Sequence, residues 1–301
     1  MVRTFLITGG TGMVGREITR LLQAEGHHVR HLSTQKQPVP NRYYWNPAKG
    51  IMDAEALKGV DTVIHLAGAN VADRWTPAHK AAILSSRIEG GNTLHSALAQ
   101  MSTEGRPKHF ISASAVGIYP NHPDHCYSES DGQVQGFLGE VVQLWEAAAD
   151  RMEALGIRVA KVRIGIVLGK KGGVLGTLVP LFSLGLGSPL GNGKHWMPWI
   201  HVTDLARQFI WLSNHPEAVG VWNGVGPASI QNRAFSKALA SALRRPFFLP
   251  AVPGWFLYLM LGPMAQVALM STRSSAEKWA HTDFQYTYAT LEKALEHLVS
   301  K

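Results

Sequence analysis

Thr4-Phe5-Leu6-Ile7-Thr8-Gly9-Gly10-Thr11-Gly12-Met13-Val14-Gly15 is the stretch that decides how this 301-residue chain folds. The run from Thr4 to Thr8 reads as a short buried strand, and Val14, Ile18, Leu21 and Leu22 then recur at helical spacing. Gly26 stands where a helix C-terminal cap belongs. Between strand and helix, Gly9, Gly12 and Gly15 fall at a G-x-x-G-x-x-G spacing. Gly9 permits a tight turn, Gly12 lets the backbone approach a pyrophosphate, and Gly15 lets the helix pack closely on the strand. The unsatisfied N–H groups of the first helical turn then face the anion, so Thr11, Met13 and Val14 join the glycines as expected contacts.

Outward from this turn, strand and helix patterns alternate. Strands are predicted over 28–32, 61–66 and 108–114, and Pro77 opens a long helix that passes Arg87 and Leu94. Residues 137–155 read as helical, with Leu138, Val141, Val142 and Trp145 on one side, and a β-branched strand follows over 158–168. Beyond Gly169, glycine-rich loops lead to a short strand over 199–202 and a helix that Thr203 or Asp204 would cap. From Gln231 onward the tail reads as mostly helical. This order predicts an α/β fold of the Rossmann type, a doubly wound parallel sheet with a smaller, mostly helical C-terminal part. The expected division is a nucleotide-binding domain over 1–225 and a helical domain over 226–301 that covers the substrate cleft.

The cofactor choice rests on the end of the second strand. A unit that takes NAD places a carboxylate there for the ribose 2′-hydroxyl. No acid occurs between Glu25 and Asp53, whereas Arg30, Ser33, Thr34, Lys36 and Arg42 supply donors and positive charge. A 2′-phosphate is welcome in that setting, and NADP(H) is the expected cofactor. Solvated loop residues are the other reading of the same cluster.

Composition narrows the class. With 46% hydrophobic and 17% charged residues the chain has the make-up of an ordinary globular protein. Its one cysteine, Cys126, excludes an intrachain disulfide. The N-terminal residues run straight into a strand pattern without leader-like regions, and the expected location is the cytoplasm. The net charge of +8 is not clustered: its longest basic steps are Lys170-Lys171 and Arg244-Arg245, which argues against nucleic acid and for a field that attracts phosphorylated small molecules. The apolar stretch 255–270 is interrupted at Gly262-Pro263, short of the roughly 20 apolar residues a membrane span needs. No membrane role is expected; two short packed helices serving as core, substrate lid or homodimer contact fit that stretch. His122-Pro123-Asp124-His125-Cys126 has metal-ligand residue types but no second cluster to complete a site, so no metal is expected. No G-x-S-x-G elbow is present.

With the glycine turn, Leu66-Ala67-Gly68, Ser112-Ala113-Ser114 and Trp199-Ile200-His201-Val202-Thr203-Asp204 in hand, the chain resembles the extended short-chain dehydrogenase/reductases. More narrowly it is similar to the epimerase-family branch often labelled nucleoside-diphosphate-sugar epimerase, through Ser86-Arg87, Trp145-Glu146-Ala147-Ala148-Ala149, residues 163–169, residues 185–191 and Trp222-Asn223-Gly224-Val225. The tail is similar to that branch's C-terminal domain of unknown function. The resemblance implies cofactor contacts at the glycine turn, at Ser33 and Thr34 for the 2′-phosphate end, at Leu66, Ala67 and Gly68, at Arg87 and at Ile166. Members of the branch often carry Arg where this chain has Thr34, which shifts the expected phosphate contact toward Lys36 or leaves it weaker.

Catalysis in the wider superfamily rests on Tyr-x-x-x-Lys, where the lysine lowers the tyrosine pKa for proton exchange. None of the seven tyrosines here is followed four positions later by lysine, and the matching helix positions are Val141 and Trp145. Glu146 reads as a helix-surface residue or one acting from behind the site. Ser114 matches the hydroxyl that polarises a substrate carbonyl, or else satisfies local backbone at a strand end. Tyr119 is a second candidate for proton transfer. Arg163 is a candidate anchor for a substrate anion, or a paired charge. His201 and Asp204 read as structural. The function expected is that of an NADP(H)-dependent oxidoreductase or epimerase on a small, anionic or sugar-nucleotide-like substrate. The alternative is a non-catalytic NADP(H)-binding module that senses redox state or regulates a partner.

Overall fold

Phe5 and Ile7 point to one side of the first strand and Leu6 to the other, and all three are fully buried. A strand buried on both faces belongs in the middle of a sheet covered twice. The structure, a computed structural model, describes residues 1–36, 39–132, 134–170 and 172–300. Its main sheet has eight strands: β1 (Thr4–Thr8), β2 (His28–Ser33), β3 (Arg42–Asn46), β4 (Ile51–Met52), β5 (Thr62–His65), β6 (His109–Ala115), β7 (Arg158–Ile164) and β8 (Gly220–Gly224). Their spatial order is β8-β7-β6-β5-β1-β2-β3-β4, parallel throughout except for the antiparallel edge pair β3/β4. The order reverses between β5 and β2 around β1, and open α/β sheets bind their ligands at that crevice.

Among the described residues ten α-helices accompany the sheet: α1 (Met13–Ala24), α2 (Pro77–Ala99), α3 (Gly136–Asp150), α4 (Gly173–Ser183), α5 (Val202–Asn214), α6 (Asn232–Ala242), α7 (Gly254–Leu261), α8 (Ala265–Leu269), α9 (Glu277–Ala280) and α10 (Leu291–Val299). Ile18 and Leu22 of α1 and Leu205 and Phe209 of α5 pack with Phe5 and Ile7 on one face. Leu94 and Leu98 of α2 and Ala149 of α3 pack with Leu6, Val63 and Phe110 on the other. The doubly wound Rossmann-type sheet with a largely helical C-terminal part is therefore the observed architecture. A third core joins Leu175 and Phe182 of α4 to Phe235 of α6 and Leu295 of α10, drawing on both sides of residue 225.

Several local expectations change. The strand expected over 158–168 breaks at Gly165, where an added Cβ would lie 2.1 Å from the Pro198 carbonyl oxygen. The Ile166–Leu168 piece leaves the main sheet and pairs in parallel with Trp199–His201. The helix expected to 155 is α-helical to Asp150 and tightens to a 3-10 turn over Arg151–Leu155, ended by Gly156 at φ 77°. The cap of α5 is neither Thr203 nor Asp204: the His201 ring accepts from the Thr203 N–H at 3.1 Å. Asp204 is fully buried instead and accepts from the N–H groups of Thr287 and Tyr288 at 2.7 and 2.8 Å, tying the tail to α5.

Burial holds two imidazoles neutral. The pKa values of His65 and His201 are pushed down to about 4, chiefly by desolvation. Between roughly pH 6.5 and 4 the unfolded chain then binds protons that the native state refuses. Stability is full above that window and falls as the pH drops through it, by on the order of 3 kcal/mol for the fully buried His65. Urea midpoints measured from pH 7 to pH 4 should show this fall, and His65→Gln should flatten it; an unchanged slope in the variant would refute the assignment to His65.

Candidate functional site

The site begins where two backbone bends touch. Gly9 adopts φ 68°, and a Cβ on it would meet the Leu66 carbonyl carbon and the Ala67 nitrogen at 3.0 Å each. Thr8 draws these bends together: its hydroxyl oxygen accepts from the N–H groups of both Leu66 and Ala67 at 3.0 Å. With both lone pairs engaged, the hydroxyl proton goes to Nδ1 of His65 at 2.8 Å, which puts the ring proton on Nε2. Gly15 closes the turn from the helix side, since a Cβ there would lie 2.5 Å from the Gly9 oxygen. Gly10 is equally constrained, because the His31 ring occupies the place of its Cβ.

The start of α1 is free to receive an anion. Gly12 is its N-cap, no side chain caps it, and no acid lies in its first turn. Thr11 and Gly12 are exposed, and Met13 and Val14 are half-buried. Met13 reaches across: its thioether lies where a Cβ on Gly169 would be, and it also packs on Gly173. The glycine turn is thereby joined to Gly169 and Gly173, just beyond the Ile166–Leu168 segment. Arg87 approaches from α2. It is 8% exposed, packs on Gly68, lies over the Trp145 ring at 4.8 Å and donates to the carbonyls of Ala69 and Ile83. Burial lowers its pKa to about 10 with no nearby carboxylate to raise it. A buried guanidinium without a carboxylate is costly unless an anion joins it.

At the end of β2 the donors divide. Ser33 shares a strand face with His31, and its hydroxyl accepts from the Gln35 N–H at 3.1 Å. Thr34 and Lys36 are exposed, and the Lys36 ammonium lies 4.8 Å from the Tyr44 ring. Arg30 turns away and donates to the carbonyls of Glu55, Ala56 and Lys58.

A second cluster lies at the end of β6. Ser114 is 2% exposed and its hydroxyl donates to Glu146 Oε1 at 2.6 Å. Glu146 also accepts from Nε and Nη2 of Arg163, at 2.8 and 3.0 Å. Nη1 of Arg163 donates to the Tyr119 hydroxyl and to the carbonyls of Glu129 and Asp131. The Tyr119 hydroxyl donates to Asn223 Oδ1 at 2.7 Å, and its ring stacks on Tyr127. This geometry decides between the two readings of Arg163 and corrects the expectation for Tyr119. Arg163 is a paired charge, because its guanidinium is held by Glu146 and loop carbonyls, and it does not reach out as an anion anchor. Tyr119 is buried, bonded on both sides, and pushed up to about 12 by desolvation, so it is not poised to exchange a proton. Val141 and Trp145 are buried and apolar. The His122–Cys126 run makes a loop in which His122 accepts from two backbone N–H groups.

The sequence profile of the NAD dependent epimerase/dehydratase family matches residues 5–223. This chain belongs to that family. A profile described as a domain of unknown function matches residues 252–298 of this epimerase-family protein. An epimerase family protein of Staphylococcus aureus is 34% identical over 303 residues, covering 100% of both chains. A chloroplastic epimerase family homolog of Arabidopsis thaliana is 32% identical, over 98% of this chain and 86% of its own. Among solved structures, a human epimerase family protein crystallised with NADPH superposes with a TM-score of 0.87, at 31% identity and 98% coverage of each chain.

Of the two readings of Glu146, the one acting from behind the site matches its buried place against Ser114 and Arg163, whereas reading the sequence of this epimerase-family protein missed Asn223 as the acceptor for Tyr119 and the Met13–Gly169 contact. Glu146 had a readable signal. It lies four residues after Val142 and three before Ala149, on the buried side of α3. The other two depend on contacts across long stretches of chain, which spacing does not reveal.

Removing one member of the Glu146–Arg163 pair leaves a buried charge. Arg163→Met should destabilise the fold by about 3–5 kcal/mol, and adding Glu146→Leu should restore a large part of it. Urea unfolding of the two single variants and the double would check this. Additive losses in the double-mutant cycle would show that the pair is not coupled.

Proposed function

We propose that this protein binds NADP(H) at the C-terminal edge of its sheet and acts as an NADP(H)-dependent oxidoreductase or epimerase on a small hydroxyl or carbonyl compound. One observation carries the reading: the uncapped start of α1 and the carboxylate-free, buried guanidinium of Arg87 flank one pair of touching bends, Gly9 with Leu66-Ala67. Two linked phosphates fit that arrangement, because backbone N–H groups and a buried cation both favour negative charge. Ser33, Thr34 and Lys36 stand for the 2′-phosphate, and the lack of any acid from 26 to 52 favours NADP(H) over NAD. The human relative crystallised with NADPH supports the same choice. A sugar-nucleotide-like substrate is the class suggested by the family.

When bound, the nicotinamide supplies or takes the hydride. Ser114 and Glu146 handle the proton. Because a carboxylate only accepts, the Ser114 hydroxyl must point its proton at Glu146, leaving its lone pairs for a substrate O–H. As the substrate is oxidised, its hydroxyl proton passes to Ser114 Oγ while the serine proton passes to Glu146 Oε1. Reduction runs the same transfers backwards. Arg163 keeps Glu146 in place for this exchange. The relay takes the part that Tyr-x-x-x-Lys plays elsewhere in the superfamily. The near-complete burial of Ser114 favours the second reading, a non-catalytic NADP(H)-binding module.

Calorimetry should give a measurable Kd for NADPH that Gly12→Val abolishes and Arg87→Met weakens by about tenfold or more. Lys36→Ala and Ser33→Ala should weaken NADPH and leave NADH unchanged. No heat from either nucleotide would end the proposal. In a carbonyl and sugar-nucleotide screen followed by NADPH fluorescence, Ser114→Ala and Glu146→Gln should each cut turnover by about a hundredfold at unchanged NADPH affinity. Absence of turnover with every compound, alongside intact nucleotide binding, would favour the non-catalytic module.

A further inference from the structure

The stretch 246–270 contains no charged residue and no histidine, and it is not buried. It folds into α7 and α8, joined by the turn at Gly262–Met264. Only Leu257 of α7 is buried, while Trp255, Leu259 and Met260 are 70%, 73% and 66% exposed, with Phe256 and Tyr258 also exposed. At about 100° per residue these five side chains cover roughly 200° of the helix circumference, with Trp255 and Leu259 opposite the buried Leu257. The base of the hairpin is firmly held: the N–H of Gly191 donates to Val252 and that of Val252 to Pro189, both at 2.8 Å, and Leu269 packs on Gly191. The same segment that meets the hairpin base carries Leu184 and Leu186, which follow α4 and are exposed.

Along the chain on either side of the ridge the charge has one sign. From 218 to 276 there are five basic residues, Arg233, Lys237, Arg244, Arg245 and Arg273, and no acid. Arg233 packs on Gly193 beside the hairpin base, and Arg244 and Arg245 are exposed where the apolar stretch begins. Glu292 and Glu296 of α10 line the groove next to Arg244 and Arg245, but no ion pair joins them among the described residues.

We propose that the α7–α8 hairpin is a docking surface for an anionic lipid bilayer, into whose interface Trp255, Leu259 and Met260 insert while the flanking arginines meet the lipid head groups. No helix among the described residues is long and apolar enough to cross a membrane, so the contact is with one leaflet. A fluid apolar medium desolvates a helix on several sides at once, whereas a folded partner covers one face. An interface between proteins also carries hydrogen bonds among its apolar contacts, and on α7 the Trp255 indole N–H and the Tyr258 hydroxyl are the only side-chain polar groups. A second copy of this chain would set like charges against each other, while an anionic surface attracts them. This inference does not depend on the nucleotide chemistry.

The test is flotation of the purified full-length protein with vesicles of phosphatidylcholine alone or mixed equally with phosphatidylglycerol. The protein should float with the anionic vesicles at low salt and at least about tenfold less with the neutral ones. Trp255→Asp and Leu259→Asp should each abolish flotation, and Arg244→Gln with Arg245→Gln should weaken it, all with unchanged thermal midpoints. No flotation with anionic vesicles, or flotation indifferent to both aspartate variants, would overturn the proposal. So would light scattering that finds a dimer in solution which Trp255→Asp converts to monomer, since a second copy would then cover the ridge.

Discussion

Everything at the sheet's C-terminal edge depends on the contact between Gly9 and the Leu66-Ala67 bend. The two chain segments approach so closely that a single methyl group on Gly9 would strike backbone atoms at 3.0 Å. Backbone atoms cannot move aside as a side chain can, so the contact admits one residue type. The Thr8 hydroxyl holds the two bends in that register by accepting from both N–H groups, and His65 takes the remaining proton. The ring is thereby committed to its neutral form, which burial reinforces. A chain of four groups, from Gly9 to His65, thus converts local backbone freedom into a rigid platform beside the start of α1.

The second fixed point is the Glu146–Arg163 pair. A buried ion pair does not stabilise a fold efficiently, because desolvation offsets most of the Coulombic attraction. What it does here is orient neighbours. Arg163 reaches the Tyr119 hydroxyl and two loop carbonyls from one side, and Glu146 sets the direction of the Ser114 proton on the other. Asn223, at the end of β8, extends the network to the tail through the Ser275 carbonyl and receives Trp279 Nε1–H on its own carbonyl. The C-terminal segment is thereby locked to the strand ends that carry the polar cluster.

The alternation of strands and helices, the glycine turn and the long helix from Pro77 were legible in the sequence because each rests on local periodicity or on a backbone demand that glycine alone meets. Strands β3 and β8 were not. β3 is an aromatic strand next to the sheet's edge, Arg-Tyr-Tyr-Trp-Asn, bounded by Asn41 at φ 60° and by Pro47, and it lacks the apolar run of a central strand. β8 begins and ends in glycine and is defined by its pairing with β7, a long-range property. Among the candidate site residues, those on backbone bends were readable from spacing. The roles of Arg163 and Tyr119 were not, since a lone Arg or Tyr on a strand or loop reveals its partner only when the fold brings that partner in.

The same limit applies to the cation beside Trp145. In relatives with Tyr-x-x-x-Lys, the lysine comes from the helix position matched here by Trp145. In this chain that position holds a flat aromatic ring, and Arg87 of α2 lies over it at 4.8 Å. An indole face attracts a guanidinium most strongly where both are shielded from water, as this 6% and 8% exposed pair is. A positive charge therefore stands near the bends on α2, and it stays charged at neutral pH although burial lowers its pKa to about 10. Such a cation can hold an anion, but at neutral pH it has no means of tuning a tyrosine that is no longer there. The Arg87 cation over Trp145 and the Ser114–Glu146 hydrogen bond are thus two distinct features, each carried by residues that helix α3 joins to another element.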